Sequence, residues 1–295
     1  MTSPQLDKLT QINLDDVVSS FGLRNDSFPA NLLRRVFYKY ARTFAQQLTE
    51  FDIETSKNGI ASGARMTLRH HFDDVRVHGL ELIPASGFLA LSNHPGLADS
   101  ISTFAALNRP DLKIIALQRP FLEALTNVSN QLFYVAEDAS SRMTLVRQVS
   151  SFLRSGGAVL TYPAGHIEPD PDFHSDAVES LQRWTDSVGV FLRMSPETPI
   201  LPVLVRGVVW KKAMTHPLTR IRKTRMEREA LAAAFQVFAM MRGKIKDVRV
   251  RVQIGNPIYA KQIGTTETNV IHQAVLAELK RLIENPPEGK GVSVL

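Results

Sequence analysis

The chain contains no cysteine, which excludes structural disulfides, thiolate zinc sites and a cysteine nucleophile, and fits a reducing compartment. It also lacks any run of the about 18 apolar residues that marks a membrane span. Residues 1–7 carry neither the basic start nor the apolar stretch of a secretory signal, so a cytoplasmic location is expected. There is no zinc-finger spacing, no RNA-binding aromatic signature and no recognition helix, so nucleic acid is not an expected partner.

What is present has the balance of an ordinary globular protein: 295 residues, 44% apolar and 22% charged. That length is enough to bury a full core, as one large α/β domain or a domain with an appendage. The net charge is +6, and its distribution is uneven. Lys211, Lys212, Arg220, Arg222, Lys223, Arg225 and Arg228 lie close together against one acid, Glu227. Such a cluster reads equally well as a solvated face or as a contact for an anionic bilayer.

The first seventy residues read as helical. From Pro29, the residues Leu32, Leu33, Val36, Phe37, Tyr40, Ala41, Phe44 and Leu48 recur at helical spacing, with arginines and lysines filling the other positions. The 23–44 stretch is thus a second candidate docking surface. A further helix is expected over about 57–71. From Val75 onward, short apolar runs alternate with helical stretches: strands over 87–91, 112–117, 132–135, 158–162, 200–205 and 248–254, helices over 101–107, 121–128 and 143–153. This alternation predicts an α/β fold: a mixed, largely parallel sheet flanked by helices, with an N-terminal helical region. The expected division is 1–72 for the helical region and 73–295 for the α/β domain, with the tail from Asn285 frayed.

In "LALSNHPGLADS" (89–100) a histidine follows a buried strand and an aspartate comes five residues later. Five residues of regular helix turn a side chain by about 500°, so His94 and Asp99 cannot share a helix face. They can meet if Pro95 and Gly96 break the chain and Asp99 begins the next helix. Asp99 then orients one imidazole nitrogen and leaves the other to accept a proton, a base with no protein nucleophile beside it. The plain alternative is an N-cap and an ordinary turn histidine.

The surroundings favour chemistry. "SNHPGLADS" resembles the first motif, His-x4-Asp, of the glycerolipid acyltransferases. "ALQRPFLEAL" (116–125), "LFYVAED" (132–138), "LTYPAGHIEP" (160–169) and "PILPVLVRG" (199–207) are similar to their later segments, in order, across roughly residues 75–260. The resemblance implies an enzyme like the 1-acylglycerol-phosphate acyltransferases. His94 is then the general base and Asp99 its partner, with a nearby backbone N–H stabilising the oxyanion. It implies a fatty acyl group carried by coenzyme A or acyl carrier protein as a thioester substrate, no metal and no other cofactor. The acceptor is a hydroxyl or amine of a glycerolipid-like molecule, with Asn93, Arg119, Tyr162, Pro163, Gly165, His166 and Glu168 around it. Arg220, Arg222, Lys223 and Arg225 are then expected to face the anionic inner side of a membrane, peripherally.

The third motif departs from the family's Phe-Pro-Glu-Gly-Thr-Arg. Ala164 stands for the Glu, Ile167 for the Arg, and Glu137 falls near the arginine of the second motif. Those charges hold a phosphate in the family; Arg119, Arg206 and Lys211 are the cations left to replace them. In "HIEPDPDFH" (166–174), His166, Glu168, Asp170, Asp172 and His174 are read as a solvated acidic loop rather than as metal ligands. His70 and His71 are read as surface or cap residues. Two rival readings are a weakly catalytic lipid- or thioester-binding protein of the same fold, and a lipid thioester or ester hydrolase in which His94 activates water.

Overall fold

A computed structural model describes residues 4–96, 98–135, 138–186, 188–243, 245, 247–265 and 267–295. Three helices open the chain: α1 (Pro4–Ser20), α2 (Phe28–Asn58) and α3 (Ile60–His71). Strand β1 (Val75–His78) and strand β2 (Phe88–Ser92) follow, then α4 (Asp99–Leu107), β3 (Lys113–Leu117), α5 (Pro120–Ala124), α6 (Thr126–Ser129) and β4 (Leu132–Val135). Next come α7 (Ala139–Arg154), β5 (Ala158–Thr161), α8 (Ala177–Ser180), α9 (Val188–Met194) and β6 (Ile200–Arg206). The chain ends with α10 (Lys211–Met214), α11 (Arg225–Arg242), β7 (Val250–Ile254), α12 (Ala260–Ile263), α13 (Thr268–Glu284) and β8 (Val292–Ser293).

The strands form one mixed sheet in the order β4-β3-β5-β2-β6-β7-β1-β8. Five neighbouring pairs are parallel, while β6–β7 and β1–β8 are antiparallel. Strand β2 lies between β5 and β6, with Leu89 opposite Val159 and Ile200. It reads as an unbroken apolar run because both of its faces are covered. Phe88 and Ala90 join one core with α2, α3, α4 and the end of α11; Leu89 and Leu91 join the other with α7, α9 and α13. Because β4, β3, β5, β2 and β6 run the same way, their carboxyl ends form one edge, where loops gather in such sheets.

The helical region is built as the periodicity predicts, with changed boundaries. Ser27 caps α2, its side chain accepting from the Ala30 N–H at 3.3 Å. The helix runs on to Asn58 and stops at Gly59, whose φ of 85° suits glycine. The apolar faces of α1, α2 and α3 share the core of the sheet. Asp52, buried within α2, locks this arrangement. It accepts from the Asn127 and Val128 amides, each at 2.9 Å, and so caps α6 from across the fold.

Two expectations are corrected. The tail from Asn285 is not frayed: β8 pairs with β1, and the Val294 N–H donates to the Val75 carbonyl at 3.1 Å, closing the sheet's edge. His71 is not a surface or cap residue. It is buried at the end of α3, and burial, first, with the neighbouring His70, pushes its pKa down to about 4.

Candidate active site

Strand β2 delivers the site. Just past its end, the Asn93 amide donates to the Val205 carbonyl at 2.9 Å and accepts from the Val205 N–H at 2.7 Å. Both ends of this buried side chain are used in tying β2 to β6. Asn93, expected to touch substrate, is instead a strand tie.

After it, His94, Pro95 and Gly96 turn the chain, Gly96 adopting φ 136°. Asp99 opens α4, and its Oδ2 accepts from the Gly96 N–H at 2.8 Å. Its Oδ1 accepts from the Ser100 amide and, at 3.0 Å, the Ser100 hydroxyl. A carboxylate at a helix N-terminus also meets the positive end of the peptide dipoles. Thus held, Asp99 Oδ2 lies 2.7 Å from His94 Nδ1. The carboxylate can only accept, so Nδ1 carries the proton and Nε2 is left with its lone pair. The aspartate side chain is 1% exposed and the histidine 31%, so the base is reachable and its partner is not. Burial pushes the imidazole toward neutrality, but the charge and hydrogen bond of Asp99, with the charge of Glu168, outweigh it and raise the His94 pKa.

The third motif packs beside this pair. The Tyr162 ring lies 4.9 Å from the imidazole, centroid to centroid. Its hydroxyl is buried facing Ser100 and Thr103 without a well-formed hydrogen bond, and burial raises its pKa so that it stays a phenol. Pro163 is buried too, its carbonyl accepting from the Thr185 N–H at 3.2 Å. Neither presents a polar group to an acceptor. Gly165, at φ 68°, closes the turn with His166 and Ile167 exposed on it.

The acidic loop is not solvated as expected: Glu168 and Asp170 are buried and hydrogen-bonded, while Asp172 is exposed and pairs with Arg206 and Arg251. Glu168 Oε2 accepts from the His94 N–H at 2.9 Å, and Oε1 accepts from the Trp184 indole N–H at 2.6 Å. Glu168, expected to read the acceptor head, has no free oxygen to do so. Asp170 accepts from the consecutive amides of Gly207, Val208 and Val209 at 2.9, 2.8 and 3.0 Å, and from Asp172 at 3.0 Å. Such a run of N–H groups is an anion nest, here filled by the protein's own carboxylate. Trp184 and Asp170 give no signal of these roles in the sequence, because their partners lie far along the chain.

The cations are redistributed as well. Arg206, a candidate replacement for the missing phosphate ligands, is fully buried and donates to the Leu282 and Ile283 carbonyls at 2.8 and 3.0 Å. Its guanidinium caps the end of α13 instead. Arg119 is exposed beyond β3, on the same strand edge as His94, and Lys211 is exposed on α10. Arg222 pairs with Glu227 at 2.8 Å and reaches the Phe21 carbonyl; Arg225 is held by Asp176 and Glu229. These two are ion-paired within the protein, although Arg225 is itself exposed, whereas exposed Arg220 and Lys223 have no ion pair among the described residues. Nearby Leu218 and Ile221 are also exposed, as are Phe28, Leu32 and Val36 in a stripe along α2. Glu137 lies outside the described residues. The His94 and Gly96 amides already donate, to Glu168 and Asp99, so neither is free as an oxyanion donor.

The site is thus a partly exposed histidine paired with a buried carboxylate at the carboxyl edge of the sheet. Residues 74–206 match the family model described as Acyltransferase. The match spans under half of the chain. Among solved structures, the chain is similar to the crystal structure of the 1-acyl-sn-glycerophosphate (LPA) acyltransferase PlsC from Thermotoga maritima. The identity is 18% and the TM-score 0.48, over 95% of this chain and 99% of that one. No curated protein sequence matches.

Proposed function

We propose that the protein transfers a fatty acyl group from an acyl-CoA or acyl carrier protein thioester to a hydroxyl or amine of a glycerolipid-like acceptor. The observation that carries this reading is the 2.7 Å contact of His94 Nδ1 with buried Asp99, which leaves Nε2 as an accessible base. Nε2 takes the acceptor proton as the acceptor oxygen or nitrogen attacks the thioester carbonyl. The tetrahedral intermediate collapses, the carbon–sulfur bond breaks, and the imidazolium returns the proton to the departing thiolate. Asp99 holds the tautomer and stabilises the imidazolium.

The acceptor in this reading carries an uncharged or amine-bearing head. Ala164 and Ile167 supply no charge, the Arg206 guanidinium is spent on α13, and the nest after β6 is filled by Asp170. The protein works at an anionic membrane surface peripherally, through exposed Arg220 and Lys223 with the apolar side chains beside them. Among the described residues no helix is long and apolar enough to cross a membrane.

The test is incubation of the purified protein with acyl-CoA or an acyl carrier protein thioester and a panel of lipid acceptors, following thiol release and acylated product. Acylated lipid that disappears with His94→Ala supports the proposal. Free acid formed without acceptor would instead make it a hydrolase, and thioester binding without turnover a binding protein.

A further inference from the structure

Glu168 and His94 are 74 positions apart, yet their peptides clasp each other. The Glu168 N–H donates to the His94 carbonyl at 2.8 Å, and the Glu168 carboxylate accepts from the His94 N–H at 2.9 Å. The second carboxylate oxygen is held by the Trp184 indole at 2.6 Å. Trp184 is itself fixed, since the next residue, Thr185, donates from its amide to Pro163 in the third-motif turn. A loop brace needs no charge; a neutral amide or a backbone carbonyl would serve. Here the fold buries a carboxylate to 3% exposure, with two N–H donors and no lysine or arginine pairing with it among the described residues. An uncompensated buried charge is costly to keep, and this one lies beside the imidazole that must become cationic during transfer.

We propose that Glu168 is a positioning residue for the His94 base: it fixes the His94 peptide and, with Asp99, supplies the negative charge that favours the imidazolium. This rests on the acyltransferase reading above. The titratable groups facing His94 are Asp99 from α4, Glu168, and the Tyr162 phenol from the end of β5; those facing Glu168 are His94 and Asp99. Burial, partly offset by the Trp184 and His94 hydrogen bonds, raises the Glu168 pKa to about 7, so its charge is present above neutrality and lost below.

The deciding variant is Glu168→Gln, which keeps the shape, removes the charge and sets an amide N–H against one of the two donors. We expect kcat to fall roughly tenfold to a hundredfold with the acyl-donor KM little changed. The His94 titration, read by NMR, should move to lower pH. Trp184→Phe serves as the second variant and decides if the first does not fold. Without its indole donor the carboxylate protonates more readily, so activity lost at pH 7 should return at pH 9. A folded Glu168→Gln protein with unaltered His94 titration, or a folded Trp184→Phe protein with a wild-type pH profile, overturns the proposal and leaves Glu168 a loop brace. The NMR titration needs no substrate. A wild-type protein inactive toward every acceptor therefore counts against the acyltransferase reading and not against this one.

Discussion

Asp99 Oδ2 sits between two donors: His94 Nδ1 at 2.7 Å and the Gly96 N–H at 2.8 Å. One oxygen thus fixes the imidazole and shapes the turn that carries it. His94→Ala should abolish transfer while the protein stays folded, because the histidine side chain is partly exposed and Asp99 keeps its Gly96 and Ser100 donors without it. Asp99→Asn should lower kcat by a similar or smaller amount, through loss of the imidazolium's partner and mis-setting of the tautomer. A folded His94→Ala protein that turns over like wild type would end the assignment.

The pH dependence separates two buried groups of opposite sign. His71 has its pKa lowered from an ordinary 6.5 to about 4. Between those values the unfolded chain binds the proton and the folded one does not, so this group's stability is lost as pH falls, by up to about 3 kcal/mol. Glu168 is raised from 4.5 to about 7; the folded state binds the proton first, so its contribution to stability grows as pH falls from 7 toward 4.5. Urea unfolding of His71→Met at pH 7 and pH 5 checks this. The variant should lose less stability on acidification than wild type, and an identical loss would contradict it. For activity, the base must be neutral, so the acid limb of kcat/KM should lie above pH 6.5, the direction in which His94 is shifted.

Asp170 accepts four backbone N–H groups in a buried setting. Asp170→Ala leaves them without an acceptor and should cost at least about 3 kcal/mol, a fall in Tm of roughly 6–12 °C for a protein of this size. Asp170→Asn retains one acceptor oxygen and should cost less. Calorimetry that finds Asp170→Ala as stable as wild type would show the nest to be satisfied by other means.

The cations near the start of α11 divide into two pairs with different expected effects. Arg220 and Lys223 are exposed, so replacing both with Gln should weaken binding to anionic vesicles by about 1 kcal/mol each and flatten the salt dependence. Arg222 and Arg225 are held by Glu227, Asp176 and Glu229, and the same replacement there should change vesicle binding less. Co-sedimentation at two ionic strengths distinguishes them; equal effects would mean the ion pairs open at the membrane.

Lysophosphatidate should be a poor acceptor, because a phosphate stripped of water needs fixed donors and the buried guanidinium of Arg206 is already committed. Arg119 is an exposed cation on the His94 edge. Saturation by lysophosphatidate at low concentration, abolished by Arg119→Gln, would show that this arginine rebuilds a phosphate site.

Much of the fold was legible because its signals are local. Apolar runs mark β2, β4 and β6 close to their ends, and helical periodicity marks α2 and α7. The Pro95–Gly96 break places Asp99 at the start of α4, so the His94–Asp99 pair was readable from a spacing of five. Asp52, Trp184 and β8 were not. Asp52 sits in a helical pattern where a carboxylate reads as surface, and β8 is two residues long in a Gly- and Pro-rich tail.

The sequence by itself determined most of the alternation of strands and helices and the pairing of His94 with Asp99. Hydrophobic period and turn chemistry act over a few residues, and so did the information needed. Only the tertiary structure decided which charges are available. Glu168, Asp170 and Arg206 look alike in the sequence, as polar residues near strand ends, with Glu168 and Arg206 read as candidates to hold substrate and Asp170 as part of a solvated loop. Folding brings Trp184, the 207–209 amides and the end of α13 against them. A buried charge keeps its ionised form only where donors or acceptors converge on it, and those partners come from 16 to 77 positions away.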